Sequence, residues 1–237
     1  MSKSHVAATR SLDLRPLPCS QSTRDRVESA KVEVVTSDEE LAAKADYILS
    51  IVPPRDALAI AQRILDVVSS PSFRKRKSPL YFVDLNAISP RSARQIAQLF
   101  HAAQDNVHFL DGGIIGPPPK MRDADGPPKG FESWVRPSIP VSGPHPLSEA
   151  QPHGADLSKV LNMRHISSEI GPASGLKMCF ASLTKGMTAL AIQSFTTAHR
   201  LNVLGELQDH LEQYSPKTLA LAQGGLVSCP PKAYRCT

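Results

Sequence analysis

Lys177 is the residue whose setting most invites chemistry. It lies early in a helical pattern that runs from Gly171 to His199. Lys177, Ala181, Thr184, Lys185 and Thr188 fall on one side of it, at i, i+4, i+7, i+8 and i+11. An amine partly withdrawn from water holds its proton less tightly, so its pKa can fall toward neutrality. A lysine of that kind can exchange protons as a general acid or base. The same place also suits a lysine that snorkels along a helix flank, and spacing alone leaves both readings open. Gly175 inside this pattern costs roughly 1 kcal/mol relative to alanine. Close approach of a strand, a helix or a ligand would explain it, and so would plain helix packing.

Other reactive residue types form no motif. The eight histidines include no pair at i, i+4 with a carboxylate, so no metal site is expected. Cys19, Cys179, Cys229 and Cys236 form no Cys-x-x-Cys pair, which argues against zinc and against a redox motif. Unpaired cysteines fit a reducing compartment, and a cytoplasmic protein is expected. No Gly-x-Ser-x-Gly elbow is present. The basic run Arg74-Lys75-Arg76-Lys77 lies between a helix and a strand and reads as a solvated turn. With one Trp and four Tyr there is no base-stacking platform, so no nucleic-acid partner is expected. Asp84 reads as a structural cap or turn former.

The elements that must position Lys177 come from apolar periodicity. Lys31 to Thr36 alternates and is β-branched, as a strand requires. Ser37 with Glu40 three residues on is a capping box for a short helix ending at Lys44. Tyr47 to Val52 and Leu80 to Leu85 are compact apolar runs suited to buried strands. Between them Arg55 to Val68 carries apolar residues at helical spacing. A helix opens at Ser89-Pro90, and His108 to Leu110 is a further short strand. This alternation predicts βαβ units and a parallel sheet. Ligands bind at the carboxyl ends of such strands, so Pro53, Pro54, Arg55, Asn86 and the segment from Asp111 to Gly116 are the places to inspect.

Gly112 to Gly154 is too broken by proline and glycine for one element. Within it Ser138 to Ser142 suits a strand. Asp156 to Leu161 reads as a helix and His165 to Ser168 as extended. In the long helix Leu176, Phe180, Leu183, Met187, Leu190 and Ile192 form an apolar stripe. Leu201 to Tyr214 is a further helix, and Gln223 to Thr237 reads as irregular. A boundary near Ser168 gives two domains, 1–168 and 169–237.

Composition sets the outer limits. The chain has 237 residues, 41% of them hydrophobic and 21% charged, with a formal net charge of +5. That is enough apolar residue for a sizeable core, and the mild positive excess argues only weakly for an anionic ligand. No apolar run approaches the ~18 residues of a membrane span, and Met1 to Arg10 lacks a signal-type core. All 13 glycines lie at or after Gly112, so the preceding residues hold neither a phosphate loop nor a dinucleotide fingerprint.

Four segments occur in a telling order: Val52-Pro53-Pro54, Asp84-Leu85-Asn86-Ala87-Ile88-Ser89-Pro90, Asp111-Gly112-Gly113-Ile114-Ile115-Gly116 and Gly171-Pro172-Ala173-Ser174-Gly175-Leu176-Lys177-Met178. Their succession, over roughly Ser20 to Leu211, resembles the β-hydroxyacid dehydrogenase superfamily, which includes 6-phosphogluconate and 3-hydroxyisobutyrate dehydrogenases. The resemblance implies an α/β fold: an incomplete Rossmann-like parallel sheet, lacking the first strand and glycine turn, followed by a small all-α C-terminal domain. It implies NADP or NAD as cofactor, with affinity weak or lost where the glycine turn is missing, and a small hydroxyacid as substrate. Lys177 falls on the family's catalytic lysine. Val52, Pro53, Pro54 and Asn86 match cofactor-side positions. Ser20, Ser22 and Arg24 match the region after the second strand, where an arginine favours a 2′-phosphate. Gly112, Gly113 and Gly116 match the substrate loop. Thr184 and Lys185 would compensate for Ala181, which stands where the family commonly has asparagine. Ile115 replaces a common serine. The C-terminal helices are the expected surface for a homodimer. A non-catalytic or truncated remnant serving as a binding or dimerising module is the alternative.

Overall fold

The computed structural model describes residues 7–9, 21, 25, 28–73, 76, 78–122 and 130–227. Ser20, Ser22, Arg24, Cys19, Cys229, Cys236 and the basic residues Arg74, Lys75 and Lys77 lie outside them. The chain divides into two compact units, Met1–Lys177 and Met178–Thr237.

In the first unit, β1 (Ala7–Thr9) and β2 (Glu33–Val35) form a parallel pair of their own. Helix α1 (Asp38–Lys44) starts where the capping box places it. The Glu40 N–H donates to Ser37 Oγ at 3.1 Å, and the Glu40 carboxylate accepts from the Thr36 N–H at 2.8 Å. There follow β3 (Tyr47–Ser50), α2 (Ala57–Val68), β4 (Leu80–Asp84), α3 (Pro90–Phe100) and β5 (Val107–Gly112). After the short β6 (Lys120–Met121) and β7 (Trp134–Val135) come β8 (Ile139–Ser142), α4 (Gly154–Val160) and β9 (Met163–Ser167). Helix α5 (Pro172–Arg200) begins in this unit and continues into the second.

The main sheet has the order β3-β4-β5-β8-β9. It is parallel through β3, β4 and β5, as the βαβ alternation predicts. The next join is antiparallel, with Asp111 opposite Ser142 and Gly112 opposite Val141. A parallel join would need a crossover element, usually a helix. The proline-rich stretch between β5 and β8 carries no described α-helix, so it returns the chain antiparallel. The sheet is therefore mixed.

Strand alternation sorts the core. Ile48, Phe82 and Phe109 are register partners on one face and pack with Ala61, Ile64, Ala93, Ile96 and Phe100 of α2 and α3. The other face carries Tyr81, Val83, Leu85 and Leu110 with Val141 and Leu147. Each fully buried aliphatic or aromatic side chain adds about 1.5–3 kcal/mol, so the helix-covered face supplies much of this unit's stability.

The second unit contains the remainder of α5 with α6 (Leu204–Tyr214) and α7 (Pro216–Val227). Helix α7 corrects the irregular reading of the tail as far as Val227. Gly224 and Gly225 look like helix breakers in sequence, but Gly225 is where α7 passes close to α5. A Cβ there would stand 3.1 Å from Thr188 Oγ1. The apolar stripe of α5 is exposed along its length, reaching 67% at Leu183 and 69% at Leu190. Among the described residues no helix is long and apolar enough to cross a membrane.

Candidate functional site

Parallel strands end together, so the loops after β3, β4 and β5 share one edge of the sheet. After β3 the chain turns through Val52-Pro53-Pro54, where both prolines are exposed and lead into a 3₁₀ turn at Pro54–Asp56. Asn86, after β4, holds this turn in place. Its Oδ1 accepts from the Val52 N–H at 2.6 Å, and its Nδ2 donates to Ser50 Oγ at 3.1 Å. Both ends of the buried Asn86 amide are thus engaged within the protein, where they shape the turn.

Asp84 and Asp111 are register partners at the ends of β4 and β5, and both are fully buried. Their surroundings differ. Asp84 Oδ1 accepts the Asn86 N–H at 2.8 Å, which makes Asp84 the turn former its sequence context suggests. Its Oδ2 is buried without a partner. Burial pushes the Asp84 carboxyl up to about 6; the Asn86 N–H pulls the other way and the neighbouring Asp111 adds to the rise. Asp111 Oδ2 instead accepts from the Gly171 N–H at 3.1 Å, the Ser174 N–H at 3.0 Å and Ser142 Oγ at 3.2 Å. Its Oδ1 accepts the Ser174 hydroxyl.

The loop after β5 carries two buried glycines. A Cβ on Gly112 would lie 2.7 Å from Leu85 Cδ2 and 3.3 Å from the Asp84 carbonyl. One on Gly113 would lie 3.0 Å from Lys177 Cβ. Both are therefore places of close approach. Gly116 has φ +121°, a conformation that suits glycine. Half-buried Lys177 sits over this loop, and its Nζ donates to the Ile114 carbonyl. The Lys177 amine is thereby tied to the backbone of the loop that the sequence singles out. Gly175 also finds a neighbour, since a Cβ there would meet Pro90 Cγ at 3.6 Å, an ordinary contact.

Of the residues singled out by sequence, the first unit brings together Gly112, Gly113 and Lys177, and separately Val52 with Asn86. Thr184 and Lys185 belong to the second unit. Both are exposed, and the Thr184 hydroxyl turns back to the Phe180 carbonyl at 2.9 Å. Sequence reasoning missed Ser142 and Ser174, both buried at the Asp111 carboxylate. The only signal available was an unexplained serine in an apolar first turn. Among the described residues no group of three or more His, Cys, Asp or Glu could hold a metal.

An α/β unit with strand-end loops of this kind, followed by helices, is a Rossmann-like architecture, and proteins of known structure share it. Residues 198–236 match a domain of unknown function, DUF1932. The chain is 23% identical over 198 residues to an uncharacterised 28.5 kDa protein of Methanothermus fervidus, covering 84% of this chain and 66% of that one. It superposes with a TM-score of 0.60 and 25% identity on MTH1747, a conserved protein of unknown function described as structurally similar to 3-hydroxyacid dehydrogenases. That match covers 88% of this chain and 69% of its counterpart. An imine reductase from Myxococcus stipitatus in complex with NADP+ gives a TM-score of 0.57 at 19% identity, covering 91% and 71%. The chain spans about two-thirds of the length of these relatives. It has the fold of the 3-hydroxyacid dehydrogenases and imine reductases.

Proposed function

We propose that the chain is an NAD(P)-dependent oxidoreductase that moves hydride between NADP and a small β-hydroxyacid, with Lys177 as general base. The observation that carries this reading is the placement of Lys177 Nζ on the Ile114 carbonyl, over the loop at the end of β5. A carbonyl can only accept, so it fixes the direction of one N–H and orients the amine. In the neutral form the amine can take the substrate hydroxyl proton as the carbinol carbon is oxidised, and return it in the reverse direction. A bound nicotinamide supplies the hydride acceptor. The exposed Val52-Pro53-Pro54 turn, held by Asn86, offers that cofactor a rigid surface, and the missing Cβ at Gly113 lets the loop lie close to Lys177, while that at Gly112 lets it pack on Leu85 and Val141. Substrate groups would meet the loop from Gly112 to Gly116. Ser20 and Arg24 would favour the 2′-phosphate of NADP.

Fluorescence titration with NADPH and NADH, followed by turnover of hydroxyacids and of imines, tests this reading. Saturable NADPH binding and a turnover that falls by about 10²-fold or more in Lys177→Ala would support it. Turnover unchanged in Lys177→Ala, or no binding at millimolar cofactor, would overturn it. The second reading is a non-catalytic member of the fold, favoured by Ile115 and Ala181 at positions where the family carries polar groups. For either reading the exposed stripe of α5 supports a homodimer, to be checked by sedimentation of wild type against Leu183→Lys with Leu190→Lys.

A further inference from the structure

We propose that Asp111 is the positioning residue for Lys177, acting through the N-terminus of α5. A helix opens with N–H groups that have no partner inside it, and a side chain just before the first turn normally serves them. Here the residue before Pro172 is Gly171, at φ +115°, which has no side chain to offer. That backbone conformation disfavours any side chain, and a Cβ there would also press on Pro90 Cβ at 3.3 Å and displace the end of the Arg94 side chain. The cap comes instead from two neighbouring strands. Asp111 on β5 takes the N–H groups of Gly171 and Ser174, and Ser142 on β8 takes that of Ala173 at 3.1 Å. Ser142 in turn donates to Asp111, and the Ser174 hydroxyl closes the group on the other carboxylate oxygen. All three side chains are buried, and the carboxylate's charge lies where the helix dipole favours it.

Lys177 is one turn beyond Ser174, and its amine reaches the carbonyl of Ile114, three residues beyond Asp111. The same short run of chain thus grips α5 at two points, at its first turn through Asp111 and at Lys177 through Ile114. Gly113 lies between the two grips, where a Cβ would press on the lysine stem. Releasing the first grip lets the helix start shift, and the second cannot then hold the amine in one place.

The test reads the amine directly. Full-length wild type, Asp111→Ala, Asp111→Asn, Ser142→Ala and Ser174→Ala are labelled with trinitrobenzenesulfonate over a range of pH, and Lys177 is followed by peptide mass spectrometry with Lys185 as internal reference. Loss of the cap in Asp111→Ala should raise Lys177 labelling by about tenfold relative to Lys185. Asp111→Asn should restore a rate near wild type, because the amide oxygen still accepts from Gly171 and Ser174 and its NH₂ donates to Ser174 Oγ. Ser142→Ala and Ser174→Ala should fall between, and they carry the test if Asp111→Ala does not fold. Unchanged Lys177 labelling in the folded variants, or an Asn variant as reactive as Ala, would overturn the proposal. The turnover part rests on the function proposed above: kcat should fall in Asp111→Ala while KM for the cofactor holds. A wild type without turnover whose Lys177 labelling still depends on Asp111 would sink that function and leave the positioning role standing.

Discussion

Asp84 and Asp111 end neighbouring strands, face each other in register and are equally buried, yet their surroundings differ. Asp111 meets two backbone N–H groups and two hydroxyls, whereas Asp84 meets one N–H and leaves an oxygen unpartnered. A buried carboxylate is stabilised by the donors around it, and neither its type nor its depth decides the outcome. The β5 end has a helix start to serve. The β4 end has only its own turn.

Breaking the better-served side should cost most. Asp111→Ala leaves buried donors at Gly171, Ser174 and Ser142 without their acceptor, and a loss of roughly 3–5 kcal/mol is expected in urea unfolding at pH 7. A loss below about 1 kcal/mol would mean that water serves those donors equally well.

Relieving the poorly served side should do the opposite. The Asp84 carboxyl titrates near 6 in the folded chain, above its unfolded value. The native state therefore binds more protons than the unfolded state between about pH 4 and 6, and this group makes stability fall as pH rises through that window. Asp84→Asn keeps the acceptor for Asn86 and removes the buried charge. It is expected to gain about 2 kcal/mol at pH 8 and to lose this part of the slope between pH 4 and 6. Parallel stability curves for wild type and variant across pH 4 to 8 would contradict it.

His108 supplies a slope of the other sign. Its ring stacks on His145 with centroids 3.6 Å apart, and its Nδ1 is buried without a partner. Burial, with His145 adding to it, holds the His108 imidazole below its ordinary value. The unfolded state then binds more protons below about pH 6.5, so this contribution to stability is lost as pH falls. His108→Phe keeps a ring and should flatten that loss by less than the Asp84 change, as read by thermal unfolding between pH 5 and 7.

The smallest effect is expected where a carboxylate has a cation and some access to water. Asp38 and Arg63 pair through two 2.8 Å contacts, with side chains 17% and 26% exposed. Removing this pair in a double-mutant cycle should show a coupling of about 0.5–1 kcal/mol, weakened by salt.

Much of the scaffold was legible from local pattern. The Ser37 and Glu40 spacing gave the start of α1 because a capping box closes within four residues. The runs at Tyr47 and Leu80 gave strands because burial on both faces leaves no polar alternation. Helix α7 was not legible, since two glycines that look like breakers allow a close pass to Thr188, a contact made by a residue far along the chain. The α5 stripe was legible as periodicity, but periodicity does not say whether an apolar face is covered.

For the site, the sequence by itself determined which residues are available: a lysine in a helix, paired glycines in a loop, and aspartates closing apolar runs. These follow from side-chain type and from spacings within one or two turns. Only the tertiary structure decided that Asp111 caps a helix whose bonded residues lie 60 and 63 positions further on, and that Ser142 joins it from the antiparallel strand. The reason is physical. A hydrogen bond is specified by where donor and acceptor meet, and for groups so far apart in sequence that meeting point is set by sheet order and register.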